Sequence, residues 1–364
     1  MREISISSRD ELFNYSIPAP DREIFKKAKE AFDRIAKPLD GLGDFETLCC
    51  RIAAIQGDIY IKTDRRAAVI FCADNGVVEE GISQSGKEVT LSVAEALGKG
   101  ISSACTMGRA CNVDIFPVDI GIDSDKRIDG VRDLKVTGGT GDFLKKSAMS
   151  EEETLKAISA GITMASDLKE KGYHILAAGE MGIGNTTTST AVLSALLRID
   201  SDTLTGRGAG IDDKGLMRKK EVIRKGIALH LPPDTEDKKE RAFKILMSLG
   251  GLDIAGITGL IIGGALNRMP VVLDGLITGA AACVAETMIP GVKEYMIPSH
   301  RGREGGNMKA LDFLSLTPFI EGNMALGEGT GAIMLFPLLD AAAAFYKNAG
   351  SFEDYDIDEY KRFS

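Results

Sequence analysis

The chain has 364 residues, of which 44% are hydrophobic and 27% charged, with a formal net charge of −9. That profile excludes wholesale disorder, and an acidic chain lacks the broad basic face of an electrostatic nucleic-acid binder. At roughly 150 residues per domain, the length allows two or three domains or one large α/β unit. Glycine is abundant, at 41 residues, and tryptophan is absent, so backbone-lined loops are expected in place of aromatic stacking platforms.

The N-terminus, MREISISSRDELFNYS, has no basic region leading into an apolar run and does not read as a secretory signal. Residues 21–36 read as an amphipathic helix. Asp21 stands where an N-cap belongs, Ile24, Phe25, Ala28, Phe32 and Ile35 share one face, and Pro38 stops it. The turn-rich PLDGLGD and a second helical pattern over 45–56 follow. Then come short apolar runs that end in polar groups: AAVIFCAD (67–74), VDIFPVDIGID (113–123), YHILAAGE (173–180), MPVVLDG (269–275) and EYMIPSH (294–300). Continuous apolar runs without alternation suit strands buried on both faces of a parallel sheet. Helical segments at 88–110, 150–171, 186–198, 215–230 and 251–266 separate them, which is the βαβ signature.

The expected fold is therefore α/β, a Rossmann-like, mostly parallel sheet flanked by helices. In such sheets the ligand crevice lies beyond the strands' C-terminal ends. This predicts that Asp74, Asp119, Glu180, Asp274 and Ser299 line one side of the molecule. The longest apolar stretch, 254–266, is too short to span a bilayer. Residues 331–349 read as a largely buried helix, and FEDYDIDEYKRFS as a solvated acidic tail. The organisation expected is a small helical subdomain from residues 1–60 and 331–364 around an α/β catalytic domain at 61–330. The cysteines, at 49, 50, 72, 105, 111 and 283, form no CxxC pair and read as buried reduced thiols of a cytoplasmic protein. The histidines, at 174, 230 and 300, have no metal-ligand spacing, so no metal and no cofactor is expected.

Three segments could carry chemistry. GEMGIGNTTTST (179–190) follows a strand and opens a helix. Gly182 and Gly184 let backbone N–H groups approach an anion, and Asn185, Thr186, Thr187 and Thr188 add side-chain donors at the helix N-terminus, where a phosphate is favoured. The spacing matches neither a Walker loop nor GxGxxG. In GRGAGIDDKGLMRKK (206–220) a Gly-rich turn precedes a helix bearing Arg218, Lys219 and Lys220, any of which could neutralise a phosphate if it is not merely a solvated face. In LGEGTGA (326–332) Glu328 sits between two glycines before an apolar helix, an arrangement open to either a turn residue or a general base.

Taken together, KPLDGLGDFE, ADNGVVEEGIS with EVT, GEMGIGNTT, DGLITGAAA, IPSH and LGEGTGA occur in this order over about residues 20–350. This set resembles the nicotinate-nucleotide–dimethylbenzimidazole phosphoribosyltransferase family of cobalamin nucleotide-loop assembly. The resemblance implies transfer of phosphoribose from nicotinate mononucleotide to 5,6-dimethylbenzimidazole or a related lower-ligand base, and usually a homodimer. It further implies that Glu328 is the catalytic base, with Glu180 a second functional carboxylate. The loop Gly182, Ile183, Gly184, Asn185, Thr186 and Thr187, with Lys219, would hold the nucleotide phosphate. The acceptor base would lie near Asp74, Ser83, Gln84, Leu326 and Ser299. A pyridinium leaving group needs neither a strong acid nor a metal. The chain departs from the family pattern at Asp74-Asn75-Gly76 and at Gln84-Ser85-Gly86-Lys87, which bears on base identity more than on reaction type. Two other classes remain in view: a non-catalytic nucleotide-binding or regulatory protein, and a dinucleotide-dependent oxidoreductase, the latter weakened by the missing GxGxxG.

Overall fold

The computed structural model describes residues 4–233 and 237–362. Six parallel strands form the main sheet: β1 (Arg66–Ala73), β2 (Asp114–Gly121), β3 (Arg132–Asp133), β4 (Ile175–Met181), β5 (Val271–Leu273) and β6 (Met296–Pro298). Their order is β3-β2-β1-β4-β5-β6, and every neighbouring pair is parallel. This is the doubly wound Rossmann order, in which the order of strand addition reverses between β1 and β4. Every residue of β1 is buried, as its unbroken apolar run requires for a strand covered on both faces.

Helices fill a layer on each face. One face carries Glu151–Glu170, Asn185–Leu197, Leu252–Leu266 and Leu276–Met288, packed around Val69, Phe71, Leu176 and Ala178. Glu151–Glu170 and Leu252–Leu266 approach closely because glycines meet backbone. A Cβ at Gly161 would lie 2.0 Å from the Gly256 carbonyl oxygen, and one at Gly259 2.0 Å from that of Ile158. The other face carries Arg22–Asp33, Asp44–Gln56, Glu88–Gly98, Ser103–Ala110 and Thr330–Asn348, packed on Ala68, Ile70 and Cys72.

The N- and C-terminal segments meet on this second face. The Phe32 and Tyr346 rings lie 4.6 Å apart, Ile35 bridges to Ser351, and Arg362 grips Asp33 and Asp40. Their core is continuous with that face of the sheet. The short helix Arg9–Phe13 packs on the opposite face, where the Ile4 and Ile6 amides donate to Thr163 and Ser159.

The helical pattern at 88–110 is two helices, broken where Gly100 takes a positive φ of 73°. Helices Lys238–Leu249, Leu276–Met288 and Gly305–Leu314 had no sequence expectation. Leu276–Met288 is buried over nearly all its length, so it has no polar face to give it a helical period. A second, two-stranded parallel sheet joins β7 (His300–Gly302) to β8 (Ile320–Met324). No helix among the described residues is long and apolar enough to cross a membrane.

Candidate active site

A cavity of about 260 Å³ opens at the C-terminal ends of the strands, beside the point where the winding reverses. Glu180, the penultimate residue of β4, lines it, as do Gly182, Ile183, Gly184, Asn185 and Thr186 from the following loop. Lys219, Ser83, Leu326 and Glu328 also line it, so the sequence expectations converge on one cavity.

The loop after β4 is built on glycine. A Cβ at Gly182 would lie 2.5 Å from the Ala73 carbonyl oxygen and 3.1 Å from Asp253 Oδ2. Gly184 takes φ 93°, outside the range of ordinary side chains. Much of the loop backbone is already engaged. The Ile183 amide donates to Thr90 Oγ1 (3.2 Å), the Asn185 amide to Gly182 O (3.2 Å) and the Thr187 amide to Gly184 O (2.9 Å). The Gly184 and Thr186 amides have no partner among the described residues, so the anion cradle is narrower than the sequence suggested.

Lys219 closes that end. It projects from helix Asp213–His230, is 1% exposed, and donates from Nζ to Thr186 Oγ1 at 2.8 Å. Burial lowers its ammonium to about 8, against the opposing charge of Glu304. Its neighbours in sequence do not share the site's interior: Arg218 turns away to bond Glu80. Gly208 lies against the pair, since a Cβ there would be 2.9 Å from Thr186 Oγ1 and 3.3 Å from Lys219 Nζ. The Gly208 amide is fixed by Glu304 Oε1 at 3.0 Å.

The carboxylates gather around a second set of contacts. Gly327, Glu328 and Gly329 take φ of 86°, 56° and 71°, three left-handed residues in succession. Glu328 is the one that incurs strain, because it carries a Cβ. Its Oε2 accepts from the Ala104 amide (3.1 Å), at the start of helix Ser103–Ala110. The loop seats on Gly179, where a Cβ would lie 2.9 Å from Gly329 Cα. A Cβ at Gly327 would lie 3.1 Å from Glu180 Oε1, so the two glutamates share this corner. Glu180 is buried, and burial together with the nearby Asp253 carboxylate pushes its carboxyl up to about 8. Asp274 also lines the cavity, its Oδ1 accepting from the Gly331 and Ala332 amides at the N-terminus of Thr330–Asn348. Burial raises its carboxyl too, opposed by His300.

Four expected site residues lie outside the lining. Asp74 is buried and its Oδ2 accepts from the Asp123 amide (2.9 Å). Ser299 is buried with its hydroxyl against His300 Nδ1 (2.9 Å). The Thr187 hydroxyl is turned into the protein interior, and the Gln84 amide donates to Gly210 O. Asp119, expected on the same rim, instead accepts from the Gly121 and Ile122 amides and pairs with Lys135. Polar groups after a buried strand thus serve the turn as often as the crevice.

The sequence reading missed Asp253, Arg207 and Glu304. Asp253 stands in the first turn of helix Leu252–Leu266, buried up to its last residue, immediately before the longest apolar run, and a carboxylate there was itself a signal. Arg207 and Glu304 line the cavity from loops whose charges look solvated in sequence.

A family model described as phosphoribosyltransferase matches residues 17–357. A Ruminiclostridium cellulolyticum protein named nicotinate-nucleotide–dimethylbenzimidazole phosphoribosyltransferase is 40% identical over 346 residues, spanning 95% of this chain and 97% of its own. A protein of the same name from Acetivibrio thermocellus is 40% identical over 340 residues, spanning 93% and 95%. Among solved structures, CobT from Thermus thermophilus superposes with a TM-score of 0.87 at 33% identity, covering 93% of this chain and 100% of that one. On its fold, its cavity and these relatives, the chain belongs to the nicotinate-nucleotide–dimethylbenzimidazole phosphoribosyltransferase family.

Proposed function

We propose that this chain is an enzyme that moves the 5-phosphoribosyl group of nicotinate mononucleotide to 5,6-dimethylbenzimidazole or a related base. The products are the α-riboside 5′-phosphate and nicotinate, for cobamide synthesis. The observation that carries the reading is a single cavity pairing a buried, under-neutralised lysine with buried carboxyls. The nucleotide offers the complement: a phosphate anion at one end and a pyridinium cation at the other.

The phosphate takes Lys219 Nζ, the Thr186 hydroxyl and the free loop amides, which positions the ribose. The bond between C1′ and the pyridinium nitrogen breaks, and its electron pair neutralises the ring as nicotinate departs. The unprotonated ring nitrogen of the acceptor forms the new bond on the opposite face of C1′, turning β into α. The proton on its other nitrogen passes to Glu328, which the left-handed loop holds at the cavity wall. The ionised carboxylates around the site offset the positive charge that develops on the sugar. Apolar lining from Ile82, Leu276 and Leu326 suits a flat base. A cytoplasmic homodimer completes the reading, and sedimentation at micromolar concentration tests the dimer.

The test of activity is a product assay. Purified protein is incubated with nicotinate mononucleotide and, separately, dimethylbenzimidazole, benzimidazole, adenine or p-cresol. Mass spectrometry should find free nicotinate with an α-riboside phosphate. Nucleotide binding without product from any base would overturn the reading in favour of a non-catalytic binder.

A further inference from the structure

We propose that Asp253 is a positioning residue that holds Glu180 as a neutral carboxylic acid, its Oε1–H turned toward the cavity. The proposal deepens the transferase reading and rests on it. One nitrogen ties the two acids together: Asn185 Nδ2 donates to Glu180 Oε2 and, at 3.0 Å, to Asp253 Oδ2. Asp253 is fully buried, and its other oxygen, Oδ1, accepts from the Ile254 amide at 2.9 Å. Both oxygens of Asp253 therefore accept from N–H donors. On Glu180 only Oε2 does so, and Oε1 has no partner among the described residues. Oε1 is also the atom that lies beside Gly327, on the loop that presents Glu328.

Two carboxyls bridged by one amide, away from water, do not both ionise at modest cost. The negative charge belongs on the acid whose oxygens are both solvated by donors, which is Asp253. The proton belongs on the oxygen without a donor, which is Glu180 Oε1. Nothing around Glu180 reverses this order. The groups that act on it most strongly besides Asp253 and Asn185 are Asp274 and Glu328, with the Cys72 thiol behind it, and Asp74 acts on Asp253 in turn. None is a cation. The cavity's cations are engaged elsewhere, Lys219 with Thr186, Arg207 with Asp213 and Arg303 with Asn323. The raised titration of both acids agrees with the same ordering.

The division of labour follows. Glu328 takes the acceptor's proton, while Glu180 keeps its own and donates a hydrogen bond to an oxygen of the bound nucleotide. Asp253, which touches no substrate, keeps Glu180 in that state. Asn185 cannot turn without losing one acid or the other, because both its carboxyl partners require the amino side of the amide.

The test is the pH profile of kcat/KM, with three variants. In wild type the alkaline limb should report loss of the Glu180 proton. Asp253→Asn removes the neighbouring charge and should move that limb to lower pH by about one unit or more. A merely structural role would lower turnover without moving the limb. Glu180→Gln keeps an N–H donor and should abolish the limb while turning over at least tenfold faster than Glu180→Ala. Infrared difference spectra supply a readout independent of turnover. A protonated-carboxyl stretch should be present in the wild type at pH 7 and lost in Glu180→Gln. An unmoved limb in Asp253→Asn, no protonated-carboxyl band at pH 7, or a glutamine variant as inactive as the alanine one would each overturn the proposal. Absence of turnover in wild type with a normal infrared band would instead overturn the transferase reading alone.

Discussion

Replacing Lys219 with methionine should make the unliganded protein more stable and the nucleotide site useless. The folded ammonium titrates at about 8 against an ordinary 10.5. Each pH unit is worth about 1.4 kcal/mol, so holding the charge in place costs roughly 3 kcal/mol. The sign follows from proton counts. Between 8 and 10.5 the unfolded chain binds the proton and the folded one does not. The cost is therefore fully present below pH 8 and fades as pH rises toward 10.5. Methionine removes it and keeps the buried aliphatic volume, but strips Thr186 Oγ1 of its donor, a loss of about 1 kcal/mol. The net gain at pH 7 is about 2 kcal/mol. Urea denaturation at pH 7 and above pH 10.5 measures both ends, with the variant's advantage expected at the first and absent at the second. Titration calorimetry with nicotinate mononucleotide should show affinity lowered by about tenfold to a hundredfold, the loss of a charge-assisted hydrogen bond. A variant that is destabilised at both pH values, or that binds nucleotide as wild type does, would refute the reasoning.

The same geometry sets three further expectations. Glu328→Gln should reduce turnover by about a hundredfold to ten-thousandfold while leaving nucleotide affinity near wild type, as steady-state kinetics and calorimetry would measure. Gly208→Ala places a methyl 2.9 Å from Thr186 Oγ1 at a φ of 53°, so it should weaken nucleotide binding about tenfold and lower stability by about 1 kcal/mol, read by calorimetry and thermal unfolding. Glu180 titrates near 8 in the fold against 4.5 ordinarily, so wild-type stability is lost progressively from pH 4.5 to 8. Glu180→Gln escapes that loss, and its advantage in urea denaturation should grow across this window to roughly 5 kcal/mol.

The strands were legible because burial on both faces leaves a mark in every residue of a run, as in AAVIF of β1 and ILAAG of β4. The glycine loop after β4 was legible for a related reason: Gly182 and Gly184 answer to local backbone geometry, which sequence states directly. What could not be read was direction. Arg218, Lys219 and Lys220 are chemically alike, and about 100° of helical rotation per residue decides which one turns inward. Packing sends Lys219 into the cavity and Arg218 to Glu80. Asp74 and Ser299 stand just past their strands and Glu180 at the end of its own, yet the polar atoms of the first two are held by the Asp123 amide and by His300. Which role a strand-end polar group takes depends on the loop that arrives opposite, a long-range fact.

That long-range fact also explains why the cavity is built from charges that the fold alone does not favour. Lys219 is buried with one hydroxyl partner, and the carboxylates of Asp253, Asp274 and Glu328 gather around the neutral Glu180. Each raises the energy of the empty site, and the two sets have opposite sign. They do not neutralise each other, since Lys219 bonds Thr186 and the carboxyls bond amides. A dianionic phosphate relieves the first set, and a pyridinium, then a sugar gaining positive charge, relieves the second. The second relief is greatest when the ribose carries the most charge, at bond cleavage, so it favours the transition state over the bound nucleotide. The first is equal in both and only anchors. Lys219 variants should accordingly alter KM, whereas variants at Glu328 should alter kcat. A Lys219→Met enzyme that bound nucleotide normally but lost kcat would show that the lysine acts on the chemistry, and this division of the cavity would be wrong.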